Sequence, residues 1–222
     1  MRPEGVFVSS ILGQCSKVPG RYFLTTPLAD VAAKFDAIPD APGPGPRRDA
    51  APGEAVAAIT GKHDGRRVVE MRWGMIPMGR VNARKRPVME TIINARSETL
   101  FKKTAFADVN RAILPVNGWY EWTGKTRRKT RWEISAPKSP ILAFEAIWDV
   151  WKSPSGTEIA SLATVKVDPS ADVAPTHHRM AAILDPADWA VWLGEAEGDP
   201  EACLCSYPDN RLNVIEAAAD LQ

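Results

Sequence analysis

The chain has 222 residues, 45% of them hydrophobic and 25% charged, a balance that suits one domain with a sizeable core. No run of about 18 or more apolar residues appears, and "GVFVSSIL" lacks the basic lead and length of a secretion signal, so a membrane span is excluded and a cytoplasmic protein is expected. The net charge of +1 hides a gradient: residues 62–133 carry 17 basic and 7 acidic side chains, residues 134–222 carry 5 and 14, and either a polyanion partner or internal pairing would use it.

In chain order, Thr26-Pro27 reads as the cap and first turn of a helix over "LADVAAKF", whose Leu28, Val31, Ala32 and Phe35 share one face. Residues 39–53 are rich in Pro and Gly and read as a loop. "EAVAAIT" and "RRVVEMRWGMIP" read as strands joined at Asp64-Gly65. "RAILPVNGWYEW" and "TRWEIS" form a second pair around the basic turn "TGKTRRK", and "PILAFEAIWDVW" and "EIASLATVKV" a third around "KSPSG". "DPADWAVWLG" is a short amphipathic helix and "RLNVIEA" a final strand. Strands outnumber helices at hairpin spacing, which predicts an α+β single domain with a largely antiparallel, barrel-like β-sheet core and peripheral helices. There is no Gly-x-Gly-x-x-Gly or Walker loop, so no cofactor is expected.

Four clusters carry more chemistry than core or surface needs. In "INARSETL", Asn94, Arg96, Ser97 and Glu98 follow an apolar pair; a strand end capping a helix is the plain reading. In "LPVNGWYEW", Glu121 sits among Trp119, Tyr120 and Trp122, where desolvation would raise its pKa into the range of a general acid or base; an outward Glu paired with an arginine is the alternative. "APTHHRM" holds His177 and His178 beside Arg179, which suits a pocket base or a phosphate contact better than zinc, because ligand spacing is absent and no metal is expected. "MRWGMIPMGRVNARKRP" interleaves Trp73 with arginines, as either a base-stacking surface or a core Trp followed by a solvated basic loop. Cys15, Cys203 and Cys205 match neither a disulfide framework nor a zinc site.

Taken in order, "GRY" at 20–22, "WGMIP" at 73–77, "INARSET" at 93–99, "LPVNGWYEW" at 114–122, "DVAPTHHRM" at 172–180 and "SYPDNRLNVI" at 206–215 resemble the successive motifs of the SOS response-associated peptidase family, also called the abasic-site processing family. The resemblance implies binding to abasic sites in single-stranded DNA and a covalent link between the ring-opened sugar and an N-terminal cysteine. It implies that Asn94 positions the terminal residue and the sugar, that Glu121 moves protons, and that His177 aids ring opening and reversal. Arg21 and Arg96 would hold the flanking phosphates, and Trp73 and Trp122 would support the bent strand by packing or stacking. The partner is then single-stranded DNA with abasic sites, no membrane is involved, and a monomer suffices.

The departure lies at the nucleophile. Where the family has Met-Cys-Gly-Arg, this chain has Val18-Pro19-Gly20-Arg21 behind 17 further residues. Three accounts stay open: Pro19 becomes the N-terminus and acts through its secondary amine, as a lyase or transient crosslinker; a cut after Gln14 exposes Cys15; or the extension at 1–17 is retained before the domain at 18–222 and the protein binds DNA without covalent chemistry. A single-strand-binding paralogue without activity and an autoproteolytic peptidase are the competing functions.

Overall fold

The computed structural model describes residues 20–40, 42–61, 64–76, 91–102, 106, 109–125, 128–153 and 155–217. Cys15, Pro19 and the basic run at 77–90 lie outside the described residues.

Five strands close a barrel. In spatial order they are β5 (Arg66–Trp73), β4 (Ala55–Thr60), β7 (Asn110–Val116), β10 (Leu142–Lys152) and β11 (Glu158–Val167), and a parallel pairing of β11 with β5, Ser161 beside Arg72 and Leu162 beside Trp73, completes the ring. Closure removes the exposed edges that an open sheet of such apolar strands would leave. Three short strands extend it: β2 (Ala37–Pro39) parallel to β5, β6 (Asn94–Arg96) parallel to β11, and β12 (Met180–Ala181) antiparallel to β11.

An antiparallel second sheet is ordered β13 (Asn213–Glu216), β9 (Arg128–Ser135), β8 (Gly118–Lys125), β1 (Arg21–Leu24), β3 (Arg47–Ala50). Two aromatic pairs fasten it to the barrel: Tyr22 on β1 against Trp73 on β5 at 5.3 Å between ring centroids, and Trp119 on β8 edge-on to Phe144 on β10 at 5.4 Å. All four rings are buried in one continuous core. Such pairs add to the area they bury.

The segment expected as one strand over 111–122 is two, β7 in the barrel and β8 in the second sheet, divided at Asn117. There the Asn117 side chain takes over the bonding of the broken ladder: its Oδ1 accepts from the backbone N–H groups of Thr25 (2.6 Å) and Thr26 (3.0 Å), and its Nδ2 donates to the Pro140 carbonyl. Gly118 follows because a Cβ at that position would lie 2.3 Å from the Ile134 carbonyl oxygen and 2.5 Å from the Phe23 ring. The loop expected over 39–53 also holds β3, an edge strand whose "RRDA" is largely solvent-facing and so lacks the apolar alternation of a buried strand.

Among the described residues three α-helices lie outside the sheets. α1 (Leu28–Phe35) buries Val31, Ala32 and Phe35 as expected and ends at Asp36 in a left-handed conformation. α2 (Ser97–Leu100) follows β6 directly with Arg96 as its N-cap and no capping side-chain bond, so the strand-to-helix reading of "INARSETL" is right and its side-chain cap is not. α3 (Trp189–Leu193) docks on β7, the Trp192 indole donating to the Ala112 carbonyl at 2.8 Å. Among the described residues no helix is long and apolar enough to cross a membrane.

Candidate active site

β6 runs parallel to β11 with Asn94 beside Thr164, Ala95 beside Val165 and Arg96 beside Lys166. Paired residues face the same way, and alternation along each strand puts Asn94, Arg96, Thr164 and Lys166 on one face. The Thr164 hydroxyl donates to Asn94 Oδ1, which fixes the amide and leaves its Nδ2 as the group to offer a ligand. Arg96 is exposed and, among the described residues, makes no ion pair. Lys166 is only 7% exposed, with Ala181 of β12 as its other backbone neighbour.

Glu121 comes from β8. It shares the face of Trp119 two residues earlier and is 2% exposed. Among the described residues its Oε1 has no hydrogen-bond partner, and neither has the nearby Trp119 indole N–H, which does not reach bonding geometry. Burial pushes the Glu121 pKa up to about 8 against the weaker pull of that indole and of the Lys166 ammonium. The carboxyl is therefore neutral at pH 7, as a proton donor has to be. A buried neutral acid with an orphaned oxygen is costly to the fold, and such a cost is common where a ligand completes the bonding.

His177 arrives on the segment that leaves β11 and returns as β12. Its Nδ1 lies 2.9 Å from the Arg179 backbone nitrogen, whose N–H donates to it, and 3.1 Å from the Arg179 carbonyl oxygen. Burial, the stacked His178 ring at 4.3 Å and the Lys166 charge hold its pKa below the usual histidine value. The segment is held from two sides. Arg179 ion-pairs with Glu98 on α2 and with Asp168 at 3.0 Å. The Asp172 carboxylate accepts the backbone N–H groups of Asn210, Arg211 and Leu212, each at 3.1 Å, while Asp209 accepts that of Ala171 at 2.7 Å. The late motif "SYPDNRLNVI" thus serves as a brace for the histidine segment.

Asn94, Glu121 and His177, expected from separate motifs, are linked through Thr164 and Lys166: Lys166 acts electrostatically on both Glu121 and His177 and lies two residues along the same face from Thr164. Neither Thr164 nor Lys166 was among the expected site residues. The available signal was a lone cation in the apolar run "LATVKV". Arg21 lies beside Tyr120 on β8 and pairs with Asp49 at 2.8 Å. Trp122 is half-buried, 6.4 Å from the Tyr120 ring. Trp73 is fully buried, so of the two roles expected for it only packing is open to it here.

A cleft of about 1010 Å³ lies elsewhere, lined by Asp36, Arg66, Leu193 and Glu195 among others, and shares no residue with this cluster. Across it Arg66 pairs with Glu195 at 2.8 Å, so part of the charge gradient is used internally. Cys203 is buried and Cys205 exposed; burial and nearby carboxylates push the Cys203 thiol up to about 11, far from a nucleophile's range. Among the described residues no group of three or more His, Cys, Asp or Glu side chains is placed to hold a metal ion.

Residues 18–221 match the model of the family described as SOS response associated peptidase (SRAP). The chain is similar to abasic site processing protein YoqW of Bacillus subtilis, 27% identical over 82% of this chain and 83% of the relative. Abasic site processing protein YobE of the same organism is 28% identical over 70% and 72%, and abasic site processing protein HMCES of Gallus gallus is 29% identical over 59% of this chain and 46% of that longer protein. A crystal structure of a protein from Bacteroides thetaiotaomicron superposes with a TM-score of 0.77 at 22% identity over 90% of this chain and 92% of that one. One from Bordetella bronchiseptica gives 0.72 at 23% over 90% and 99%. These two likenesses establish the fold.

Proposed function

The chain belongs to the SOS response associated peptidase family, and on that premise we propose that it processes abasic sites in single-stranded DNA. Asn94 and Arg96 hold the lesion, with Arg21 on a flanking phosphate, and Glu121 and His177 move the protons. The carrying observation is the burial of the Glu121 carboxyl, with one oxygen unsatisfied among the described residues; that burial pushes its pKa up and favours the neutral acid. An abasic deoxyribose opens to an aldehyde, and an amine that attacks it forms a carbinolamine whose hydroxyl must leave as water. A neutral carboxyl supplies that proton. The relatives named for abasic-site processing support the substrate class.

The covalent route through an N-terminal amine, with Pro19 or less directly Cys15 as the reactive residue, is part of this proposal. It is supported by the register of β1 on β8: Arg21, the first residue of β1, lies opposite Tyr120, the residue before Glu121. The family match begins at residue 18, which supports reading 1–17 as an extension ahead of the domain. Proline in the cysteine's place favours the second reading, binding without a covalent link.

The test is fluorescence anisotropy on single-stranded oligonucleotides with and without one abasic site. Tighter binding to the abasic strand is expected, and equal binding overturns the proposal.

A further inference from the structure

The basic turn "TGKTRRK" belongs to a ribbon that reaches past the rest of its sheet. β1 pairs with β8 only as far as Tyr120, and β13 with β9 only as far as Trp132, so among the described residues no strand flanks the stretch from Thr123 to Thr130. Residues 122–131 hold five basic side chains and no carboxylate. Register and alternation sort them by face. Glu121 lies opposite Trp132, Thr123 opposite Thr130 and Lys125 opposite Arg128, which puts Lys125 and Arg128 on the face of the Glu121 carboxyl; Lys129, opposite Gly124, is on the other face. Lys125, Arg128 and Lys129 are exposed and, among the described residues, make no ion pair, whereas Arg21, Arg47, Arg66, Arg67 and Arg179 are each held by a carboxylate. Like charges directly opposite one another destabilise a strand pair, so the Lys125–Arg128 pair serves the fold poorly. The ribbon is nevertheless built stiffly. The Trp132 indole donates to the Thr123 hydroxyl at 2.8 Å, and Gly124, at φ 93°, lets the strands approach where a Cβ would lie 2.4 Å from the Arg128 carbonyl oxygen.

We propose that Lys125 and Arg128 form a clamp on the DNA backbone, gripping phosphates of the strand as it leaves the lesion, beyond those assigned to Arg21 and Arg96. The inference rests on the abasic-site reading above and adds a second contact zone to the same site. Lys125 stands four residues along β8 from Glu121, about 13 Å at the rise of a strand. A strand with its lesion at the carboxyl therefore meets the clamp a few nucleotides on. Charge complementarity selects the partner: cations without a carboxylate beside them suit a polyanion, and a phosphate between the two relieves their repulsion. A stiff ribbon also loses little freedom on binding. Phosphate contacts carry no sequence information, so the clamp raises affinity for any single strand and leaves selection of the lesion to Asn94, Glu121 and His177.

The experiment measures affinity by fluorescence anisotropy across a range of salt concentrations, with the full-length chain and single strands with and without one abasic site. Lys125→Ala and Arg128→Ala are each expected to weaken binding to both strands and to flatten the slope of log affinity against log salt by about 0.7. The ratio of abasic to intact affinity and the thermal midpoint should stay as in wild type. Lys129→Ala, the same loss of charge on the opposite face, is expected to move the slope by less than either. On strands trimmed back toward the lesion from one of their two ends, the Lys125→Ala/Arg128→Ala double variant and wild type should bind alike. An unchanged slope in the single variants, an equal or larger effect from Lys129→Ala, or a deficit in the double variant that survives trimming from either end overturns the inference. Each of these leaves the abasic-site reading standing as long as wild type prefers the abasic strand. Wild type without that preference overturns the abasic-site reading, and the clamp is then decided by the variants on intact strands alone.

Discussion

Asn94 and Thr164 face each other across the parallel pairing of β6 and β11, and the Thr164 hydroxyl holds the Asn94 side-chain oxygen. The bond joins a short strand to the barrel wall and sets which end of the amide faces outward. Thr164→Val keeps the shape and removes the donor. It is expected to cost about 1 kcal/mol of stability and to weaken binding to abasic strands, whereas Thr164→Ser preserves both. Thermal unfolding and anisotropy check the pair of outcomes.

Glu121 should destabilise the fold in a pH-dependent way. Its folded pKa of about 8 lies above the ordinary carboxylate value, so the folded state holds a proton that the unfolded state releases. The stability this contributes is full below the ordinary value and is lost as pH rises toward about 8. Glu121→Gln removes the titration and is expected to be more stable than wild type by up to roughly 3 kcal/mol at pH 7, with the gap narrowing toward pH 5. Denaturant melts at the two pH values read it directly. The same variant should lose covalent processing, because an amide has no proton to give.

Arg96 and Arg21 should differ as phosphate ligands. Arg96 is exposed and, among the described residues, makes no ion pair, whereas Arg21 is held by Asp49 at 2.8 Å. A cation already paired gains less from a phosphate. Arg96→Ala is expected to weaken binding to single strands and flatten the salt dependence by about 0.7 in slope. Arg21→Ala should change both by less. Affinities measured across a range of salt concentrations test the ranking.

The parts of the fold that the sequence made legible are those where burial imposes a period. α1 and the strands β4, β5, β10 and β11 carry apolar faces or runs that match their environments. β3 did not show because an edge strand of Arg, Arg and Asp has no apolar face to display. The division at Asn117 was hidden for a different reason: the side chain continues the bonding of the backbone, so the apolar run passes through the break. Barrel closure by β11 and β5 joins residues some ninety apart in sequence through parallel pairing, which local pattern does not encode.

The site was legible unevenly. Aromatic neighbours around Glu121 signal desolvation, and the structure shows that burial. Thr164 and Lys166 sit in a strand whose period is satisfied without them, so their meaning appears only once β6 is laid beside β11. The role of residues 206–215 as a brace depends largely on the backbone N–H groups of Asn210, Arg211 and Leu212, which no side-chain pattern reveals.

The central claim is that Asn94, Glu121 and His177 act on the aldehyde of an abasic site. The most direct measurement compares three single strands on a denaturing gel after borohydride treatment: one with an aldehydic abasic site, one with a tetrahydrofuran analogue that has no aldehyde, and one intact. The account predicts a protein–DNA adduct with the first strand alone. No adduct with any strand, or equal adduct with all three, would contradict it.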